Sequence, residues 1–98
     1  MMTIKDIILL EKRLLEFEND HKFDITLDEL LELEEHIEKV GRTTSIYFNV
    51  QFEFSRAHEN KDDVQKYHDR LTDSELKYDF SDSIDFINNM CDKYKKKD

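Results

Sequence analysis

With no proline and a single glycine, Gly41, among 98 residues, the chain has almost no means of turning tightly. Sandwiches and barrels need turn chemistry at many points, whereas a helical bundle needs it at few. A charged share of 40% agrees, because amphipathic helices set one apolar face against one solvated face. The expected class is all-α: a small antiparallel helical bundle of about four helices with a long central helix, built as one domain over residues 1–98.

The longest candidate element runs from Thr43 to Leu71. Ile46, Val50, Phe54, Ala57, Val64, Tyr67 and Leu71 fall within about 140° of one another at helical periodicity, so one apolar stripe threads the segment. Phe48 and Phe52 lie on the opposite face and need cover of their own. Ile46, Phe48, Val50, Phe52 and Phe54 also alternate with more polar neighbours, which is a strand pattern. Phe23-Asp24-Ile25 is the only other weak strand candidate, and no Asn-Gly or Asp-Gly hairpin signal occurs. A helix over 43–71 is therefore expected, as the spine of the bundle.

Ahead of it, Thr3 with Asp6 can cap a first helix whose apolar face is Ile4, Ile7, Ile8, Leu10, Leu14, Leu15 and Phe17, stopped at Asn19-Asp20. Thr26 with Glu29 makes a second capping box, and Ile25 and Leu30 stand where a hydrophobic staple needs them. Leu27, Leu30, Leu31, Leu33, Ile37 and Val40 then read as a buried face. Gly41 stands where a left-handed residue would end the helix at Val40. The polar run His58 to Asp63 could interrupt the third helix, with Asn60 as a new N-cap. Thr72 and Glu75 suggest a further box leading through Leu76 and Phe80, with a restart at Ser81. Ile84, Ile87, Cys91 and Tyr94 then recur at heptad-like spacing. Lys93, Lys95, Lys96 and Lys97 suit the negative end of a helix dipole.

Charge is spread unevenly along a formal net of -9. Residues 21–40 hold 7 acids and 2 bases, while 41–60 hold 2 of each. Such a surface repels phosphates and anionic headgroups, so direct nucleic-acid or membrane-surface binding is not expected and a basic protein partner is. Cys91 has no partner for a disulfide, and no signal peptide or long apolar run is evident. A cytoplasmic protein is expected, or one of the host cytoplasm if phage-encoded. The richness in Lys, Asp, Glu, Ile and Asn suits an AT-rich genome.

The leading candidate surface is the acidic face of the second helix, Asp28, Glu29, Glu32 and Glu35 with Glu38 at its margin. Only Lys39 relieves this crowding, four residues after Glu35. Phe48 and Phe52 are candidate anchors for the same interface or for a homodimer. This predicts a small non-enzymatic binding protein that occludes a basic, nucleic-acid-binding groove on its partner, as small phage inhibitors, anti-restriction proteins and immunity proteins do. A structural homo-oligomer is a further reading.

The competing chemistry is a carboxylate metal centre, because Glu11, Glu18, Glu34 and Glu53 interrupt apolar stripes and inward acids are how bundles hold Mg²⁺ or Mn²⁺. The alternative for each is a long side chain that snorkels outward between two seams. Glu29-Leu-Leu-Glu32 and Glu59-Asn-Lys-Asp62 together resemble the ExxE and ExxD pairs of the all-α nucleoside triphosphate pyrophosphohydrolases of the MazG kind, which implies a Mg²⁺-dependent hydrolase of nucleotides. Zinc motifs are missing, His36 and His58 read as surface residues, and Cys91 reads as a packed thiol. No cofactor is expected for the leading reading.

Overall fold

The computed structural model describes residues 2–95 and contains four helices: α1 (Ile4–His21), α2 (Leu27–Ala57), α3 (Lys61–Thr72) and α4 (Ser81–Lys93). The all-α bundle with one long helix is what forms, but the long helix is not residues 43–71. It is α2, 31 residues that run from the Thr26 cap through Gly41 to Ala57.

Two of the three expected capping boxes close. Thr3 N donates to Asp6 Oδ2 at 2.9 Å and Asp6 N to Thr3 Oγ1 at 3.3 Å. Thr26 N donates to Glu29 Oε1 at 3.0 Å and Glu29 N to Thr26 Oγ1 at 3.2 Å. Each box satisfies two backbone donors that a helix start would otherwise leave unpaired. Asn19-Asp20 does not stop α1, which continues to His21, where Phe17 and His21 stack with ring centroids 4.6 Å apart.

Gly41 does not end the second helix. Among the described residues none takes a positive φ, so the left-handed conformation that makes glycine a terminator is not used at Gly41. What holds the helix straight through it is packing: Leu33, Val40 and Thr44 share one buried stripe on both sides of the glycine. Thr44 Oγ1 lies 3.0 Å from both Glu11 Oε2 and the Gly41 carbonyl oxygen. A Cβ at Gly41 would meet that same Glu11 oxygen at 3.0 Å. The glycine thus gives room for a carboxylate of α1 to approach rather than a turn.

The interruption comes instead at 58–60. His58 is extended, and Asn60 Oδ1 accepts from Asp62 N at 2.9 Å to begin α3. The His58 ring donates from Nδ1 to the Phe54 carbonyl at 2.9 Å and stacks on Phe54, which in turn stacks on Tyr67 at 3.9 Å. Those three rings fasten α3 back along the end of α2. The Thr72 and Glu75 box does not form. Thr72 Oγ1 turns back to the His68 and Asp69 carbonyls, and Glu75 forms a lone β-bridge with Thr3. Ile4 N donates to Ser74 O at 3.1 Å and Leu76 N to Met2 O at 2.9 Å, so the N-terminus straps the loop that leads to α4. Asp79 Oδ1 accepts from Ser81 N at 2.8 Å at the start of that helix. Of the expected lysine tail, Lys93 stands in the last turn of α4, while Lys96 and Lys97 lie outside the described residues.

The core is lopsided. α1 buries Ile4, Ile7, Leu10, Leu14 and Phe17; α2 buries Leu33 and Val40; the C-terminal segment adds Phe80, Ile87 and Met90. α3 buries no residue fully. Ile46 and Val50, expected in the core, are 61% and 40% exposed, and Leu27 and Leu31 are 71% and 55% exposed. The molecule is accordingly long, 49 × 26 × 24 Å. No helix among the described residues is long and apolar enough to cross a membrane.

Because Gly41 sits in a helix interior, G41A should stabilise the fold by about 0.5 kcal/mol, short of the full helix-propensity gain because the Glu11 carboxylate must yield slightly. Urea denaturation with circular dichroism checks this. A loss above about 1 kcal/mol is the result a left-handed glycine would give.

Candidate interaction surface

The five acids expected on one face of α2 are divided among three settings. Glu29 belongs to the fold: Lys93 Nζ lies 2.9 Å from its Oε2, and the Tyr94 hydroxyl donates to its Oε1. With the Thr26 cap these donors hold its carboxyl down at about 2, and the same contacts hold Lys93 and Tyr94 above their ordinary values. Its side chain is only 16% exposed. Glu38 pairs with Arg42 one turn on. Asp28, Glu32 and Glu35 are exposed and have no ion-pair partner among the described residues. They lie within about 60° of one another on the helix, so three unrelieved charges form a ridge.

That ridge runs into a cleft of about 840 Å³ between the middle of α2 and the loop before α4. Glu35, Glu38, Lys39 and Arg42 line one side and Tyr78, Asp79 and Phe80 the other. Tyr78 is 72% exposed, whereas Phe80 is 2% exposed with Lys39 Nζ 5.2 Å from its ring centroid. Asp79 is held below its ordinary value, chiefly by the Ser81 backbone N–H. With Arg42 paired to Glu38 and Lys39 over Phe80, the groups left to receive a guanidinium or ammonium are Glu35, Asp79 and the exposed Tyr78 ring. The sequence offered no sign of this cleft, because Tyr78 to Phe80 read as part of a helix rather than as its wall.

Phe48 and Phe52 are 49% and 60% exposed, neither buried against α1 nor α4. Phe48 lines a second cleft of about 630 Å³ with Ile8, Leu9, His68 and Thr72 among others. The Arg56 guanidinium lies 5.7 Å from the Phe52 ring. Together with Ile46 and Val50 these rings leave the second half of α2 apolar toward water.

Nor are the stripe-interrupting glutamates gathered into one centre. Glu11 meets Thr44, Glu53 is exposed with Arg56 Nη1 3.8 Å away, and Glu18 faces Glu34 across the α1–α2 seam. Sharing a hydrogen bond with Glu34 raises the Glu18 pKa, and burial adds to the effect. The Glu18 Oε2 is shut from water and has no hydrogen-bond partner. His36 is not a surface residue: its Nδ1 is 2.7 Å from the buried Ser83 hydroxyl, and its ring stacks on Phe86 at 4.5 Å. The ExxE and ExxD carboxylates are not brought together either. Glu29 and Glu32 start α2 while Glu59 and Asp62 follow its end, some 40 Å away along the helix. Among the described residues no group of three or more His, Cys, Asp or Glu is arranged to hold a metal ion.

No family model, curated protein or solved structure matches this chain.

The two perturbed carboxylates act in opposite directions with pH. Glu29, lowered from 4.5 to about 2, contributes stability that is full above pH 4.5 and is lost as pH falls toward 2. The advantage of the native chain over E29Q in thermal melts should shrink across that window. Glu18, raised above 4.5, costs stability once it ionises. E18Q should therefore raise the melting temperature at pH 7 and leave it unchanged below pH 4.

Proposed function

We propose that the chain is a non-enzymatic binding protein whose acidic ridge occupies a basic surface on a partner protein. The observation that carries this reading is the ridge of Asp28, Glu32 and Glu35, exposed, without an ion-pair partner among the described residues and continuous through Glu35 with the cleft beside the exposed Tyr78. Like charges packed along one helix face cost stability, by a few tenths of a kcal/mol for each pair spaced i to i+4. Asp28 and Glu32 are such a pair. A binding role offsets that cost, since a partner's lysines or arginines would relieve the repulsion.

Long-range attraction from a net charge of -9 would steer the encounter, and the ridge would set the register. An arginine reaching past Glu35 would find carboxylates and an aromatic surface in the cleft, which suits its flat guanidinium better than an ammonium. Covering such a groove would deny it to nucleic acid, the manner in which small phage inhibitors and immunity-type proteins act.

A fluorescent nona-arginine peptide provides the test, read by anisotropy across a salt series. Binding should weaken steadily with ionic strength, and E32K combined with E35K should reduce affinity by at least about tenfold. Binding that ignores salt, or that survives both reversals, would overturn the proposal.

A further inference from the structure

The flank of α2 beside α1 carries a second pattern, apart from the fully buried stripe and the acidic ridge. From Leu27 and Leu31, alternating steps of four and three residues pass through Glu34, Glu38, Gly41 and Ser45 to Phe48 and Phe52. That is the a/d spacing of a coiled-coil seam, sustained over about 37 Å of one continuous helix. In the folded chain the two ends of the seam are open, with Leu27, Leu31, Phe48 and Phe52 71%, 55%, 49% and 60% exposed, while its middle borders α1 through Glu34 beside Glu18 and Gly41 beside Glu11. Its neighbour on α1 is open as well, since Leu15 shares a helical stripe with Glu11 and Glu18, both directed at α2, and is 45% exposed.

We infer that this seam is a self-association surface, and that its occupant is the α2 helix of a second copy running antiparallel. Two features of the sequence single out that arrangement. The first is size. An antiparallel pairing centred between Lys39 and Val40 sets Leu27 against Phe52 of the second copy and Leu31 against Phe48. Glu34 then meets Ser45, and Glu38 meets Gly41. Apolar residues fall on apolar residues at both ends, and the polar middle, where Glu34 and Gly41 already adjoin carboxylates of α1, leaves the association to those two apolar ends.

The second feature is charge. Leu27 to Val40 holds six carboxylates and one lysine, a net of -5, while Gly41 to Ala57 holds two arginines and one glutamate, a net of +1. Antiparallel pairing lays the acidic half of each helix along the other's slightly basic half. Parallel pairing would lay acid on acid. The stretch Thr43 to Phe52 contains no charged residue at all, so it can approach the acidic half without repelling it. Polar residues at the centre of such a seam fix register and direction at a cost in affinity, so the dimer is a reversible one. Asp28, Glu32 and Glu35 project to one side of the seam, and each dimer presents its two ridges outward.

Sedimentation equilibrium on the full chain, run up to about 500 µM, tests this with a charge exchange across the proposed layer. The native chain should show a monomer–dimer equilibrium. L27K alone and F52E alone should each weaken it by at least about tenfold, and L27K with F52E in one chain should recover most of the loss, because each new charge then faces its opposite in the second copy. Circular dichroism should stay unchanged, since both positions are exposed in the folded chain. A strictly monomeric native chain, or a dimer indifferent to either single change, would overturn the inference. Single variants that weaken the dimer without recovery in the double variant would overturn the antiparallel register, as a parallel pair sets like charges together. Nona-arginine binding by the same variants keeps this outcome separate from that of the ridge.

Discussion

A helix of 18 residues cannot cover one of 31, and most of what distinguishes this molecule follows from that mismatch between α1 and α2. The apolar face of α1 supplies half of the fully buried hydrophobic side chains, and α2 meets it with Leu33, Val40 and Thr44. Both ends of the long helix then need separate cover. α4 cares for the first half through His36, Ser83 and the Glu29–Lys93 pair, and α3 for the second through the Phe54–Tyr67 stack. Neither reaches round to the outer side. The acidic ridge and the open seam are both products of a central rod that is clamped along one side only.

The electrostatics repeat this division between inward and outward sides. Acids that face a neighbouring helix have found a donor or a proton to share, as Glu11, Glu18 and Glu29 do. Desolvation makes an unpaired inward carboxylate costly, and Glu18, with one buried oxygen lacking a partner, shows that cost as a raised pKa, while the charges left ionised and unpaired on α2 face outward. The charges that remain available to a partner are therefore those that folding does not consume.

Signals confined to a few adjacent residues were legible in the sequence. Thr3 with Asp6 and Thr26 with Glu29 cap helices because a side chain three residues on reaches the backbone groups of the helix start. The equally local Thr72 and Glu75 do not, Thr72 being bonded back into α3 and Glu75 bridged to Thr3. Gly41 misled for the complementary reason: glycine permits a stop without enforcing one, and tertiary packing across Val40 and Thr44 decided the matter. Asn60 was readable as a cap, but nothing local revealed that it would outweigh a continuous apolar stripe. The stripe itself was correctly spaced and wrongly located, since periodicity says which residues share a face and not whether that face has a neighbour. Leu27, Leu31, Ile46 and Val50 are exposed because the short α1 and the flanking α3 and α4 cannot surround the rod. The cleft at Tyr78 was beyond reach, because the loop that walls it is bonded to Met2 and Ile4, contacts of long span that no local pattern announces.

That strap has a topological consequence. Met2 to Ile4 is fastened to Ser74 and Leu76, about 70 residues further along, so the intervening chain is a closed loop with α3 inside it. A contact of such long span closes a large loop, an entropic cost that the shorter-range α1–α2 pairing reduces. Since α3 buries no side chain fully, it is the segment whose melting disturbs the core least, while the clasp keeps α4 docked. The molecule is thus a hairpin locked by a buckle, with one slack span between the hinge and the catch.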